Sequence, residues 1–168
     1  MDRFDSMLPS SATEWGIFAL CLLAACLPSI VSWFTVGDNM GNGEAWYESR
    51  KSSLTPPSWV FKLVWPSIYL GLAFAFYGTA SIGTSSLVYP VLALNLLLAA
   101  FWPLVFVKRQ FQTAFAMILV MLLSLGVTLY LVMKTGEKGS GWYRLSIIVF
   151  SLYLLWLMYA AVLSASFI

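Results

Sequence analysis

The sequence predicts an all-α integral membrane protein: a bundle of five transmembrane helices with a long loop between the first two, in a single membrane domain over residues 1–168. Two observations predict this class. Of the 168 residues, 61% are hydrophobic and only 10% carry formal charge, whereas a soluble domain carries about 25% charged residues. Five apolar runs are also long enough for a helix of ~20 residues to cross a bilayer core. This composition excludes a soluble enzyme, a disordered chain and a nucleic-acid binder.

The five apolar runs follow one another closely, so neighbouring helices are predicted to be antiparallel. They cover residues 15–36, 60–82, 87–107, 113–133 and 145–167. The first run is too long for the apolar part of a signal peptide, and more spans follow it. The second starts after Pro56-Pro57, which lack N–H groups where a helix start leaves donors unpaired. No run carries a charge deeper than its first turn.

The connection at residues 37–59 is the exception among otherwise short loops. It is polar at its start and ends in the proline pair. Long ordered loops over compact bundles are often functional. We therefore predict that residues 37–59 form a lid over a pocket.

Several kinds of chemistry are absent. The chain has no His, and therefore lacks the commonest metal ligand and the usual general base near neutral pH. Cys21 and Cys26 are too few for a structural zinc site and too far apart on a helix for a disulfide. Ion-coupled transporters need charges inside the membrane. We expect no metal site, no catalytic acid–base residues and no ion-coupled transport.

Aromatic residues make up 17% of the chain, with eight Trp. Four of these lie at the ends of apolar runs, where interfacial anchoring explains them: Trp15, Trp33, Trp59 and Trp142. Trp156 is different, because it lies in the middle of the fifth run, with Tyr153 and Tyr159 about one turn to either side. An indole N–H at that depth needs a partner in the bundle or in a ligand.

The second run carries two stripes on different helix faces. The aromatic stripe is Trp65, Tyr69, Leu72 and Phe76. Either ordinary core packing or a pocket wall explains it. The small-residue stripe is Gly71, Ala75 and Thr79. It predicts close packing of another helix, within the bundle or across a dimer.

Asn95 is the buried amide of the third run. Either an interhelical hydrogen bond or a polar contact to a ligand explains it. An aromatic-walled pocket under a loop, without fixed charge, suits a large, flat, hydrophobic ligand. Porphyrins, sterols and polycyclic drugs are the plausible classes.

A motif spans the end of the loop and the start of the second run. Its residues are Trp46, Tyr47, Lys51, Pro56, Pro57, Trp59, Phe61, Trp65 and Tyr69. This series resembles the signature of the translocator protein family, also called tryptophan-rich sensory proteins or peripheral benzodiazepine receptors. Ala93-Leu94-Asn95 and the series Tyr153, Trp156, Ala160, Leu163 resemble its motifs in helices three and five. The chain departs from the pattern at Ser52, Leu152 and Ser164, and in the later position of Trp102.

The resemblance implies a five-helix bundle, often a homodimer. It implies a pocket that opens toward the first loop and binds tetrapyrroles such as protoporphyrin IX and benzodiazepine-like drugs, with cholesterol-like sterols as a further class. The tetrapyrrole would be a ligand, and no cofactor is expected. Together with the aromatic stripes, the resemblance gives this candidate ligand-binding set: Trp46, Trp59, Trp65, Tyr69, Asn95, Tyr153 and Trp156.

Three functions remain open at this point. The first is binding or transport of large hydrophobic ligands, with a role in tetrapyrrole or lipid handling or in stress signalling. The second is light-dependent breakdown of porphyrin through the same Trp residues. The third is a structural bundle that assembles with other membrane proteins. The resemblance places the protein in the outer mitochondrial membrane of a eukaryote or in the cell envelope of a bacterium.

Overall fold

The architecture is that of a computed structural model, which describes residues 9–37, 41 and 43–168. The described residues form six helices and no strand. These are α1 (Ala12–Thr35), α2 (Ala45–Glu48), α3 (Ser58–Ser81), α4 (Val88–Val107), α5 (Phe111–Thr135) and α6 (Gly141–Ala165). All except the short α2 are long and apolar enough to span a membrane. The predicted five-helix membrane bundle is confirmed.

Helices α1 and α6 start earlier than the predicted apolar runs, and a polar residue caps each of them. The Ser11 side chain accepts a hydrogen bond from the Glu14 N–H at the start of α1, and the Ser140 side chain accepts one from the Trp142 N–H at the start of α6. Such caps satisfy N–H groups that a helix start leaves unpaired. At the start of α3 the helix includes Ser58, so Trp59, predicted in the loop, lies in its first turn. Residues 1–8 of the predicted domain, and 38–40 and 42 of the predicted lid, lie outside the described residues.

The five long helices form a closed ring in the order α1, α3, α6, α5, α4, and α4 packs back on α1. Each long helix therefore has two neighbours with extensive contact. The order around the ring is not the order along the chain. As a result α3 and α6, which are far apart in sequence, lie side by side.

The approach of α3 to α6 depends on small residues. A Cβ atom on Gly78 would lie 2.8 Å from Trp142 Cε3, and one on Gly71 would lie 3.3 Å from Val149 Cγ1. Between them, Ser146 Oγ on α6 donates a hydrogen bond of 3.4 Å to the Ala75 carbonyl on α3. Small residues permit such close backbone packing in membranes.

The small-residue stripe of α3 is thus used inside the chain. Ala75 and Thr79 are fully buried, and Thr79 Oγ1 donates to the Phe76 carbonyl of its own helix. Ala75 and Thr79 therefore pack within the bundle, and a role of the stripe in a dimer stays a prediction. Ala75 and Thr79 have no surface left for a second copy of the chain.

The described part of the first loop is tied to the end of the bundle where α3 starts and α6 ends. Tyr159 Oη donates a hydrogen bond of 2.6 Å to the Leu54 carbonyl. The Arg50 guanidinium donates one of 3.3 Å to the Phe167 carbonyl. The loop therefore folds back over the helix ends.

Candidate ligand-binding site

Six aromatic side chains from α3 and α6 contact one another where these helices lie side by side. We call them the inter-helix cluster: Phe61, Trp65, Tyr69, Tyr153, Trp156 and Tyr159. The α3 members are spaced by four residues and the α6 members by three. These spacings place each set on one helix face, and the ring order turns the two faces toward each other.

Trp65 is at the centre of the inter-helix cluster. Its ring stacks on Tyr69 with centroids 5.6 Å apart and meets Trp156 edge-on at 6.2 Å. Trp156 in turn contacts Phe61 at 5.8 Å and Tyr159 at 5.6 Å. The rings touch directly, so the gap between α3 and α6 is filled by the protein's own side chains in this conformation.

A neutral hydrogen-bond network lies behind the cluster. Tyr153 Oη donates to Asn95 Oδ1 at 2.9 Å. The Asn95 amide nitrogen donates to the Met121 carbonyl and to Ser124 Oγ, both at 2.8 Å. Asn95 and Tyr153 are each only 1% exposed. Asn95 therefore joins α4, α5 and α6, and this network uses both its donors and its carbonyl oxygen.

Three buried polar atoms among the described residues have no hydrogen-bond partner: Thr55 Oγ1, Trp156 Nε1 and Ser164 Oγ. Two of them belong to residues connected to Tyr159. Thr55 follows Leu54, whose carbonyl accepts from Tyr159 Oη, and the Trp156 ring contacts the Tyr159 ring. An unpaired polar group in an apolar interior costs about 1–3 kcal/mol. A ligand with hydrogen-bonding atoms would remove this cost at either group.

Two of the predicted ligand-binding residues lie outside both the inter-helix cluster and the network at Asn95. Trp59 is 62% exposed and, among the described residues, makes no ring contact. Trp46 belongs to a second aromatic group at the loop end of α4 and α5. We call this group the cap cluster: Trp46, Tyr47, Trp102, Phe106, Phe111 and Phe167.

The cap cluster forms a hydrophobic core separate from the main one. The Trp46 ring lies 5.9 Å from Phe106 and 5.8 Å from Phe111. Trp102 stacks on Phe106 at 5.0 Å, and its Nε1 donates to the Ala114 carbonyl at 3.0 Å. Trp102 therefore fastens α4 to α5, which gives it a structural role away from the candidate site.

The charges near the cap cluster lie at its surface. Lys51 pairs with Glu48 and holds the pKa of that carboxyl below its ordinary value. Burial raises the pKa of the Tyr47 hydroxyl, so Tyr47 is neutral at physiological pH. The guanidinium of Arg109 lies 5.3 Å above the Trp46 ring. The inter-helix cluster, in contrast, contains no ionisable side chain other than Tyr.

Phe61 and Tyr159 contact Trp156 but were not among the predicted ligand-binding residues. A signal for both was present in the sequence. Phe61 is four residues before Trp65, and Tyr159 is three after Trp156, so each continues an aromatic face. What the spacing did not show is that Tyr159 also holds the loop.

Comparison with known proteins identifies the family. The model of the TspO/MBR family matches residues 17–168. The chain belongs to the TspO/MBR family. It is also 32% identical to a tryptophan-rich sensory protein of Cereibacter sphaeroides over 120 residues. The matched segment covers 70% of this chain and 72% of that protein. The recognition made from the loop and helix motifs is confirmed.

Family membership and the five apolar helices make this chain a multi-pass integral membrane protein. Within the described residues, no three His, Cys, Asp or Glu side chains group as metal ligands would. The chemistry that the candidate site offers is aromatic contact and a few neutral hydrogen bonds.

Proposed function

We propose that this TspO/MBR family member binds a large, flat, hydrophobic ligand between α3 and α6, with tetrapyrroles such as protoporphyrin IX as the ligand class. The observation that carries the proposal is the indole N–H of Trp156, which is buried in the inter-helix cluster and finds no acceptor among the residues that the structure describes. A bound ligand with a nitrogen or carboxylate acceptor at this point would satisfy it. Thr55 would offer a second polar contact from the loop.

The aromatic rings of the inter-helix cluster support a planar ligand, because flat ring systems stack on one another. Trp65 and Trp156 present perpendicular rings, and Tyr69 stacks under Trp65. A macrocycle needs these rings to separate. Each aromatic pair contributes about 0.5–1.5 kcal/mol beyond area burial, and a ligand that stacks on the separated rings replaces the contacts they lose.

The contacts between the loop and the inter-helix cluster support a lid role for the loop. Tyr159 belongs to the inter-helix cluster and donates to the Leu54 carbonyl. Because of this hydrogen bond, a movement of the Trp156 and Tyr159 rings would also move the loop. We propose that this segment is the lid. Binding would then serve tetrapyrrole or lipid handling, transport or sensing. The homodimer that the resemblance implies stays a prediction, and its interface would have to avoid Ala75 and Thr79.

Protoporphyrin IX titration in detergent tests the proposal through quenching of Trp fluorescence. We expect saturable quenching by the wild-type protein. Trp156→Phe, which keeps an aromatic ring but removes the N–H, should weaken the apparent affinity about tenfold, or about 1.4 kcal/mol.

The matched control is Trp15→Phe, the same substitution at a half-exposed position near the start of α1. Trp15 is at the membrane face opposite the first loop, so its loss should leave the affinity unchanged. Equal affinities for the wild type and both variants would rule out a binding site at Trp156. Melting curves in the same detergent check that each variant is folded.

Light-dependent breakdown of porphyrin is a second function that uses the same residues. Absorption spectra of bound protoporphyrin, followed in the light and in the dark, separate it from binding alone. A product band that requires both light and protein, and that is lost in Trp156→Phe at saturating porphyrin, favours the enzyme. Unchanged spectra favour binding.

A further inference from the structure

A shallow open groove of about 430 Å³ lies beside the cap cluster, away from the inter-helix cluster. Its lining combines two arginines with uncharged polar and apolar side chains: Arg50, Arg109, Gln110, Phe111, Gln112, Thr113, Phe167 and Ile168. Among the described residues, no Asp or Glu side chain lines it. The charged side chains of the groove are therefore both positive, and they lie at the membrane face that carries the first loop.

The two arginines are held in place by aromatic rings. The Arg50 guanidinium lies 5.4 Å from the centroid of Phe111 and donates to the Phe167 carbonyl. The Arg109 guanidinium lies 5.3 Å from the centroid of Trp46. Among the described residues, the ion pair that forms is Lys51 with Glu48, so neither arginine has a carboxylate partner there. Both guanidinium groups keep N–H donors for an anion.

The groove lies where spanning helices end, which is the level at which lipid headgroups are expected. α4 ends at Val107 and α5 begins at Phe111, so the turn between them is where the chain leaves the apolar layer and returns to it. Phe111 and Phe167 supply apolar surface in the same groove. The polar start of α5 adds to the positive potential, because no side chain caps its first N–H groups.

We propose that this groove binds the phosphate headgroup of an anionic membrane lipid, with Arg50 and Arg109 contacting the phosphate and the two Phe rings contacting the adjoining apolar part. Basic pockets at helix ends are typical sites for such headgroups. This binding is separate from that of the flat ligand between α3 and α6.

Lipid retention by the full-length protein in detergent tests the proposal. Native mass spectrometry would measure binding of phosphatidylglycerol and of phosphatidylcholine with identical acyl chains, at low ionic strength. We expect the wild type to prefer phosphatidylglycerol. Arg50→Gln combined with Arg109→Gln should reduce its affinity for phosphatidylglycerol about tenfold, and that for phosphatidylcholine, whose choline offsets the charge of its phosphate, much less.

The matched control removes two exposed cations at the opposite membrane face, Lys138→Gln with Arg144→Gln. An equal loss in this control, or no loss in the Arg50 and Arg109 variant, would overturn the proposal, because binding would then follow overall charge or other sites. Displacement of the lipid by millimolar inorganic phosphate would make free phosphate the ligand and overturn the assignment to lipid.

A second variant keeps the test valid if the double variant fails to fold. Gln112 is exposed and lines the groove, so Gln112→Glu adds a negative charge there without touching either arginine. It should lower the affinity for phosphatidylglycerol severalfold, with a normal melting curve. Unchanged affinity in this folded variant would also contradict the proposal.

Discussion

Trp102 in the cap cluster and Trp156 in the inter-helix cluster lie on spanning helices with their rings against other aromatic rings. Trp102 Nε1 donates to the Ala114 carbonyl at 3.0 Å, whereas Trp156 Nε1 is buried and has no acceptor within the described part of the chain. The indole N–H is therefore hydrogen-bonded within the chain at Trp102, whereas at Trp156 it is left for a partner outside the described residues. This difference separates an aromatic group that holds helices together from one that is suited to a ligand.

The surroundings of the two clusters differ in the same sense. The cap cluster takes its side chains from the loop helix α2, the last turns of α4, the start of α5 and the residues after α6. Two arginines lie over its rings. The inter-helix cluster has a neutral network behind it, centred on Asn95. Both clusters are aromatic, so aromatic content alone does not distinguish them. They differ in whether their indole N–H groups have hydrogen-bond partners.

The largest expected effect is on stability in the cap cluster. Phe106 is 4% exposed and contacts Trp46, Trp102 and Phe167. Phe106→Ala should lower the free energy of unfolding by about 3–5 kcal/mol, because it leaves a cavity among these rings. Unfolding in mixed micelles with increasing SDS measures it.

The control for this change is Phe61→Ala in the inter-helix cluster. Phe61 is half-buried, so its loss of stability should be smaller, while its protoporphyrin affinity should fall and that of Phe106→Ala should not. If both variants lose stability and affinity alike, the division into a structural and a ligand-binding cluster is wrong.

The next effect compares the two indoles directly. Trp102→Phe should destabilise the protein by about 1 kcal/mol, the net value of a lost hydrogen bond, without changing protoporphyrin affinity. Trp156→Phe has no hydrogen bond to lose, so its melting temperature should stay close to that of the wild type. A Trp156→Phe variant that unfolds as readily as Trp102→Phe would show that Trp156 has a structural partner after all.

The smallest effect concerns the network behind the inter-helix cluster. Tyr153→Phe removes the donor to Asn95 Oδ1, and hydrogen bonds between membrane helices average about 0.6 kcal/mol. SDS unfolding should therefore show a loss near this value. Ser67→Ala is the control, because the hydrogen bond of Ser67 Oγ seen among the described residues stays within α3, to the Leu63 carbonyl. A larger loss at Ser67 than at Tyr153 would contradict a tertiary role for the Asn95 network.

The fold was largely predictable because its main signals are local. A run of apolar residues long enough to span the bilayer is a property of the run itself, and short connections make neighbouring helices antiparallel. The earlier starts of α1 and α6 come with the caps Ser11 and Ser140, which extend these two helices into polar sequence. The faces of α3 and α6 that carry Trp65 and Trp156 were likewise readable from spacing.

The sequence by itself determined the membrane class, the five spans, the family motif and the aromatic faces. Only the tertiary structure decided which faces meet. The ring order puts α3 beside α6, which joins Trp65 to Trp156, and the fold of the loop carries Trp46 to the ends of α4 and α5 instead. The physical reason is that helical periodicity sets the direction of a side chain around its own axis, whereas its partner depends on contacts between segments distant in the chain.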